Sequence, residues 1–204
     1  ARTMKRKLLI LSVLAICVAM LAGGTLAFFT SEDKAHNVIT TGGVEITLQE
    51  WADEAKTTPF KDLTGVMPNT TVTKIAEIKN TGASDAWVRV KVEKNIKLQG
   101  DGTPDTGLVE LKLNTVDWTE KDGYYYYNKI LKPGEATAPI FTAVSFAADM
   151  GDEYQNAAAT VDVFAQAVQT ANNGDTVMAA QGWPNLYGGS VMENKKALEL
   201  IISG

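Results

Sequence analysis

The amino-acid sequence predicts an all-β protein, an antiparallel β-sandwich built from short strands. Apolar and polar residues alternate with a period of two in several segments, as they do in strands with one buried face. Turn-forming residues separate these segments at fairly even spacing, and few segments show the longer period of a helix. With 204 residues and 45% apolar composition, the chain is long enough to bury a substantial core.

Seven segments carry the strand pattern, and turn formers separate them. Asp122-Gly123 is the strongest short hairpin signal in the chain, and residues 80–85 and 132–135 are rich in turn formers. The predicted strands cover residues 44–49, 72–79, 88–93, 108–113, 124–127, 140–146 and 160–168.

Inward positions of the alternating strands give most of the predicted core, because alternate side chains of a strand share one face, and residues 140–146 add a core strand with no clean alternation. These residues are Val72, Ile78, Val88, Val90, Val92, Phe141, Phe146, Val161 and Val163.

The C-terminal region has a different pattern and predicts a short helical tail. Residues 175–181 could form a short helix capped by Asp175, and residues 191–202 have helical spacing at Ala197, Leu198 and Ile201.

The first 27 residues have the three regions of an export signal. Lys5, Arg6 and Lys7 precede an apolar run over residues 8–22, and small residues follow at 23–27. Cleavage is predicted after Ala27, with Thr25 two residues upstream and Phe28 as the new N-terminus. The alternative is that residues 8–29, which carry no charge, stay in the bilayer as an anchor. In the cleaved form of this prediction, the chain contacts the membrane only before cleavage, through its signal.

Charge and residue usage exclude several functions. The 19 basic and 24 acidic residues give a net charge of −5, the wrong sign for binding nucleic acid. Removing the signal removes four basic residues and no acid, which leaves 15 against 24 and a net charge of −9. The single cysteine, Cys17, lies in the signal, so the mature domain has no disulfide.

The chain has few residues of the types that form metal sites or catalytic sites. His36 is the only histidine, whereas a zincin protease needs two histidines at i and i+4 with a glutamate. No enzyme activity, catalytic residue or cofactor is predicted. Two acidic loops offer oxygen ligands for calcium, although neither has EF-hand spacing and ordinary solvated loops are the alternative. Their candidate ligands are Asp101, Asp105, Asp149 and Asp152.

Four successive tyrosines, residues 124–127, leave two readings open. Alternate rings of a strand emerge on one face and could form a stacking surface for sugar or protein. Alternatively, one pair packs inward and the other covers the sheet edge.

Several short segments, in their order along the chain, resemble the TasA/camelysin family of Gram-positive matrix and surface proteins. None of them is a chemical motif by itself, and together they cover roughly residues 20 to 183. The segments are residues 23–30 (GGTLAFFT), 38–46 (VITTGGVEI), 67–69 (MPN), 80–82 (NTG), 123–127 (GYYYY), 131–137 (LKPGEAT) and 165–170 (AQAVQT).

This resemblance implies a jelly-roll β-sandwich that assembles into extracellular fibres. It further implies a dedicated signal peptidase during export, and assembly in which the N-terminal segment of one subunit completes a sheet in the next. Residues 28–41 fit such a donor arm, because they contain Phe28, Phe29, Val38 and Ile39 and no proline. The alternative is a terminus that frays or folds onto its own sandwich.

The predicted organisation is a signal at residues 1–27, a donor arm at 28–41, a sandwich at 42–172 and a partly helical tail at 173–204. The predicted function is a secreted structural subunit of fibres or biofilm matrix on a Gram-positive cell surface, with its own copies as head-to-tail partners. A monomeric, surface-tethered, immunoglobulin-like binding module is the alternative, and a camelysin-type metalloprotease is third.

Overall fold

The computed structural model describes residues 39–41, 43–184 and 200–202. Within these ranges the chain forms eleven strands in two sheets and two single 3-10 turns, Thr106–Leu108 and Asp152–Tyr154. The prediction of an all-β fold is confirmed. The jelly-roll connectivity implied by the family resemblance stays a prediction, and the signal segment lies outside the described residues.

One sheet has the strand order β1-β2-β4-β9-β6, and the other has the order β3-β11-β10-β5-β8-β7. Pairing is antiparallel throughout the described strands except between β3 and β11, which are parallel. The strands are β1 Ile39–Thr41, β2 Val44–Trp51, β3 Thr64–Val66, β4 Thr70–Asn80, β5 Ala86–Lys97, β6 Val109–Leu113, β7 Trp118–Lys121, β8 Tyr124–Tyr127, β9 Phe141–Phe146, β10 Ala158–Gln169 and β11 Leu200–Ile202.

The long strands β5 and β10 form the centre of the second sheet. They pair over twelve residues, from Ala86 opposite Gln169 to Lys97 opposite Ala158. Val88 and Val90 on β5 and Val161 and Val163 on β10 all face the first sheet and are fully or almost fully buried. Burial of these β-branched residues, which fit a pleated surface well, stabilises the pairing of the two sheets.

The core lies between the two sheets. Seven of the nine predicted core residues are buried there, and the other two, Val72 and Val92, are half-buried and pack against it. The buried seven are Ile78, Val88, Val90, Phe141, Phe146, Val161 and Val163.

The hairpin predicted at Asp122-Gly123 is confirmed. It joins β7 to β8, and both residues have positive φ, 53° at Asp122 and 78° at Gly123. This is the requirement of a two-residue type I′ turn, which matches the twist of the flanking strands.

Gly123→Ala should destabilise the domain by about 1 kcal/mol, because a side chain disfavours this left-handed backbone although no atom lies within 4 Å of its new Cβ. Urea unfolding of the variant measures the loss. The matched control is Gly100→Ala, which also meets no atom within 4 Å and has no left-handed backbone. Equal stability losses in the two variants would contradict the turn argument.

The helical tail is not found where the structure describes the tail. Residues 175–181 form successive turns, with hydrogen bonds from Ala179 N–H to the Thr176 carbonyl and from Ala180 N–H to the Val177 carbonyl. Leu200–Ile202, predicted with helical spacing, is strand β11 instead, because it pairs with β10 and β3. Residues 185–199 lie outside the described ranges. No helix in the described part of the chain has the length and apolar character needed to cross a bilayer.

Candidate assembly edges

Strand β1 lies at one edge of the first sheet and contains the C-terminal end of the predicted arm. Ile39, Thr40 and Thr41 pair antiparallel with Ile46, Glu45 and Val44 of β2. Ile39 is thus paired within its own subunit. The other predicted arm and cleavage residues lie outside the described residues: Thr25, Ala27, Phe28, Phe29 and Val38.

The backbone groups of β2 point alternately to its two sides. The Glu45 carbonyl accepts hydrogen bonds from the N–H groups of Thr81 and Gly82, on the side of β4. The Glu50 carbonyl points to the opposite, outer side, where it accepts the Phe60 N–H at 2.9 Å. Because the direction alternates residue by residue, the N–H and C=O of Leu48 also face this outer side. They lie between β1 and Phe60.

Phe60 therefore limits how far any strand can pair along the outer side of β2. Strand β1 ends its described pairing at Ile39 opposite Ile46, four residues before Glu50. The Glu50 carbonyl is already bonded to Phe60. We call residues 58–60 the strand stop, because they occupy the outer side of β2 beyond Leu48.

Buried charge and packing hold the strand stop in place. Lys74 Nζ lies 4.3 Å from the centre of the Phe60 ring and 2.5 Å from the Glu50 carboxylate. The Lys74 and Glu50 side chains are only 1% and 5% exposed. Ala52 N–H donates to the Thr58 carbonyl at 2.9 Å, which closes the loop that leads into the stop. Removing both charges from water costs about as much as their attraction gains, so the pair is weak evidence for added stability.

The Asp53 carboxylate organises the loop before the strand stop. It accepts hydrogen bonds from the Thr57 N–H at 3.1 Å, the Thr57 hydroxyl at 3.2 Å and the Thr58 N–H at 2.6 Å. The hydrogen bond from the Thr57 backbone is the main cause that lowers the pKa of Asp53 below its usual range.

We expect the amide signals of Thr57 and Thr58 to titrate with this lowered pKa in NMR spectra. A lowered folded-state pKa means that the carboxylate's stabilisation is complete above the unfolded-state pKa and is lost as the pH falls through the folded-state value. Asp53→Asn keeps an acceptor oxygen but cannot titrate, so the transition should disappear. A titration that persists in this variant would assign it to another group.

Two other sheet edges carry protective features. At the free side of β6, the Val109 carbonyl accepts Lys94 Nζ at 2.6 Å and the Val109 N–H donates to the Thr106 carbonyl. The exposed residues Glu110 and Lys112 flank it. The edge strand β7 is four residues long and exposes Glu120 and Lys121. Charged, short or capped edges disfavour uncontrolled pairing between subunits.

The predicted calcium ligands serve other local roles. Asp105 caps the first 3-10 turn by accepting the Gly107 N–H at 2.8 Å, and its own N–H donates to the Tyr154 hydroxyl at 3.0 Å. Asp152 begins the second 3-10 turn, while Asp101 and Asp149 lie in exposed loops. No three His, Cys, Asp or Glu side chains converge as metal ligands within the described ranges. His36 and Cys17 lie outside them.

The tyrosines of β8 divide between two faces. Tyr125 and Tyr127 pack against the core, and Tyr124 and Tyr126 lie on the outer face of the second sheet. Arg89 stacks between the rings of Tyr124 and Trp183, at 4.1 and 4.5 Å.

The sequence analysis missed this outer cluster of Arg89 and aromatic rings. Its signals in the sequence were the outward position of Arg89 and the alternate tyrosines of residues 124–127, and nothing there linked them to Trp183 or Gln166. Gln166 ties the cluster together, since its Oε1 accepts Arg89 Nε at 2.6 Å and its amide donates to the Pro184 carbonyl. Residues 170–184 are thereby held on the outer face of the second sheet.

Comparison with known proteins places the chain in a family but finds little else. The sequence model described as camelysin metallo-endopeptidase matches residues 3–108, just over half of the chain. No curated protein matches the sequence.

Among solved structures, the sixth cohesin of scaffoldin B from Acetivibrio cellulolyticus, solved with a mutant Cel5 dockerin, is 10% identical. The alignment covers 70% of this chain and 94% of the cohesin, with a TM-score of 0.28. A TM-score this low supports neither a shared fold nor a shared function.

Proposed function

The chain belongs to the camelysin metallo-endopeptidase family, and from this premise we propose that it is a structural subunit of extracellular fibres or matrix on a Gram-positive cell surface. In this proposal the subunits join head to tail through residues 28–41. The signal is cut after Ala27 by a dedicated peptidase, and the released arm pairs with a sheet edge of the next subunit.

The strand stop is the observation that carries the proposal. Strand β1 occupies the outer side of β2 as far as Ile46, and Phe60 occupies the Glu50 carbonyl, so only the backbone of Leu48 lies between them on that side. Phe28 and Phe29 are large apolar side chains whose exposure to water is unfavourable. An arm of this kind is suited to add a strand to a neighbouring sheet.

The positions of the edges support growth in one direction. The described end of the arm, β1, lies at one edge of the first sheet, whereas the candidate acceptor strands β6 and β7 form other sheet edges. Donor and acceptor are thus different surfaces, and a contact between different surfaces propagates unless its rotation closes a ring. Repetition of such a contact gives a filament.

The metallo-endopeptidase activity in the family's description does not fit the donor set of this chain. A zinc site of the protease type needs two histidines one helical turn apart with a third ligand. The chain contains one histidine, His36. The described residues bring no three ligand side chains together. We therefore derive no hydrolytic step through a metal.

Electron microscopy of the purified mature protein tests the proposal. We expect long filaments of uniform width, and N-terminal sequencing should begin at Phe28. Dispersed single particles would favour the monomeric, surface-tethered binding module instead. A membrane-bound product that retains Lys5 to Lys7 would favour the anchor over cleavage. Peptide hydrolysis that EDTA abolishes would contradict the structural function and indicate a metalloprotease.

A further inference from the structure

A lysine and a glutamate meet between two neighbouring strands of the first sheet. Lys74 on β4 and Glu50 on β2 lie 24 residues apart in sequence, and Lys74 Nζ is 2.5 Å from Glu50 Oε1. Glu50 is opposite Ala76 in the register of the two strands, so Lys74 approaches it diagonally, over a distance that a long side chain can span. The pair therefore links two strands that the backbone already holds side by side.

Burial separates this pair from the other ion pairs among the described residues. The Lys74 and Glu50 side chains are 1% and 5% exposed, whereas the lysine of each other pair is at least 29% exposed. The Phe60 ring, itself 4% exposed, lies over Lys74 Nζ with its centre 4.3 Å away. The ammonium and the carboxylate are thus in contact at a place that is shielded from water.

This shielding changes the balance between an ion pair and an amide. In bulk water an amine and a carboxylic acid stay apart, because both groups are ionised and their ions are well hydrated. Removal from water destabilises both ions, and their attraction only roughly offsets that cost. Condensation of the two groups removes both charges and leaves one neutral amide. A buried, preformed contact between the two groups therefore favours the amide.

We propose that Lys74 and Glu50 condense to an intramolecular amide, an isopeptide bond between β2 and β4. A proton first passes from the Lys74 ammonium to the Glu50 carboxylate, which leaves an amine and a carboxylic acid. The amine nitrogen attacks the carboxyl carbon and the C–N bond forms. The bond from that carbon to the hydroxyl oxygen then breaks, and the departing hydroxyl takes one proton from the nitrogen. One water molecule is released, and no oxidant, reductant or co-reactant takes part.

An isopeptide bond would act in this chain as a disulfide acts in other exported proteins. The sequence after residue 27 contains no cysteine, so no disulfide can cross-link its strands. A bond between residues 50 and 74 closes the loop that carries the strand stop, and such a closure restricts the unfolded chain. The inference goes beyond the proposed fibre function and does not depend on it, because the bond lies within one subunit.

Mass spectrometry of the mature protein, unfolded in denaturant, tests the bond. We expect an intact mass below the sequence mass by one water molecule, about 18 Da. Trypsin does not cleave after an acylated lysine, so residues 62–79 should remain one peptide and should be joined to residues 35–56. Separate peptides of residues 35–56, 62–74 and 75–79, with no loss of mass, would overturn the proposal.

The position of the water loss matters, because another site in the chain can lose water. Asp122-Gly123 can close to a cyclic imide, and the tryptic peptide of residues 122–129 reports that reaction separately. A loss confined to this peptide would overturn the isopeptide bond. A loss confined to the joined peptides supports it.

Lys74→Arg separates the bond from the ion pair. Arginine keeps a positive charge beside Glu50, but its guanidinium is a poor nucleophile, so this variant should have its full sequence mass. The matched control is Lys129→Arg, in the more exposed ion pair with Asp117 at 2.7 Å, and it should retain the loss of one water. A loss that persists in Lys74→Arg would assign it to other groups and overturn the proposal.

Two substitutions of Phe60 test whether shielding from water drives the condensation. Phe60→Ala opens the cover over Lys74 Nζ and should lower the linked fraction of the protein about twofold or more. Phe60→Leu keeps an apolar cover and should leave the linked fraction close to that of the unsubstituted protein. Equal linked fractions in the two variants would overturn the argument from shielding.

Discussion

Deletion of residues 28–37 should abolish filament formation and leave a folded, monomeric sandwich. The deletion ends before β1, so the pairs between β1 and β2 and the whole described core remain. Because the arm is the proposed donor, its loss removes the strand that each subunit adds to its neighbour. Sedimentation velocity should give a single species of monomer mass, and circular dichroism should retain the spectrum of a β-protein.

Adding the arm back as a free peptide provides the control for this deletion. A synthetic peptide of residues 28–41 should occupy the acceptor edge of intact subunits and slow filament growth. A peptide with both phenylalanines replaced, Phe28→Ser and Phe29→Ser, should inhibit less. If the deleted protein still forms filaments of the same width, the arm is not the joint, and contacts between the sandwich ends must suffice.

Phe141→Ala should destabilise the domain by about 3 to 5 kcal/mol, a large part of the stability of a typical domain. Phe141 is fully buried on β9, where it lies opposite Ala76 on β4 and Leu113 on β6. Truncation removes its apolar contacts and leaves a cavity between the sheets. Urea unfolding, followed by tryptophan fluorescence, should show a lower midpoint.

Lys112→Ala is the matched control for this core substitution, since Lys112 is exposed on the neighbouring strand β6. A surface change of this kind usually alters stability by less than about 0.5 kcal/mol. A loss below about 1 kcal/mol for Phe141→Ala would mean that the two sheets are less tightly packed than the structure shows.

The strands were predictable where one face is buried and the other is exposed to solvent. Val88 and Val90 alternate with Arg89 and Lys91, and this two-residue period gave the central strand β5 directly. Asp122-Gly123 predicted the hairpin between β7 and β8 for a different reason, because both residues tolerate positive φ. Strands of three residues were missed. β1, β3 and β11 are too short to show a two-residue period, and they are strands because they pair with neighbouring strands in the sheet.

The candidate site was less predictable, because it depends on contacts distant in sequence. The donor arm stays a prediction, made from the family resemblance and the lack of proline. The strand stop could not be predicted, since the Phe60 N–H reaches the Glu50 carbonyl only when the loop folds back on β2, and Lys74 meets Glu50 only when β2 and β4 lie side by side. Lys74 had the pattern of an inward strand position, and nothing local indicated its partner. The helix expected at residues 175–181 failed because packing of Val177 and Ala180 on the second sheet prevails over local propensity.

Strand β11 has a consequence for the order in which the second sheet folds. It lies between β3 and β10, and in the described sheet β3 touches no other strand. Residues 64–66 must therefore wait for residues 200–202, well over one hundred positions later, before their pairing can be completed. Loop closure over such a separation is slow compared with the formation of a hairpin. A nascent chain would thus keep this sheet margin open until residues 200–202 have been synthesised.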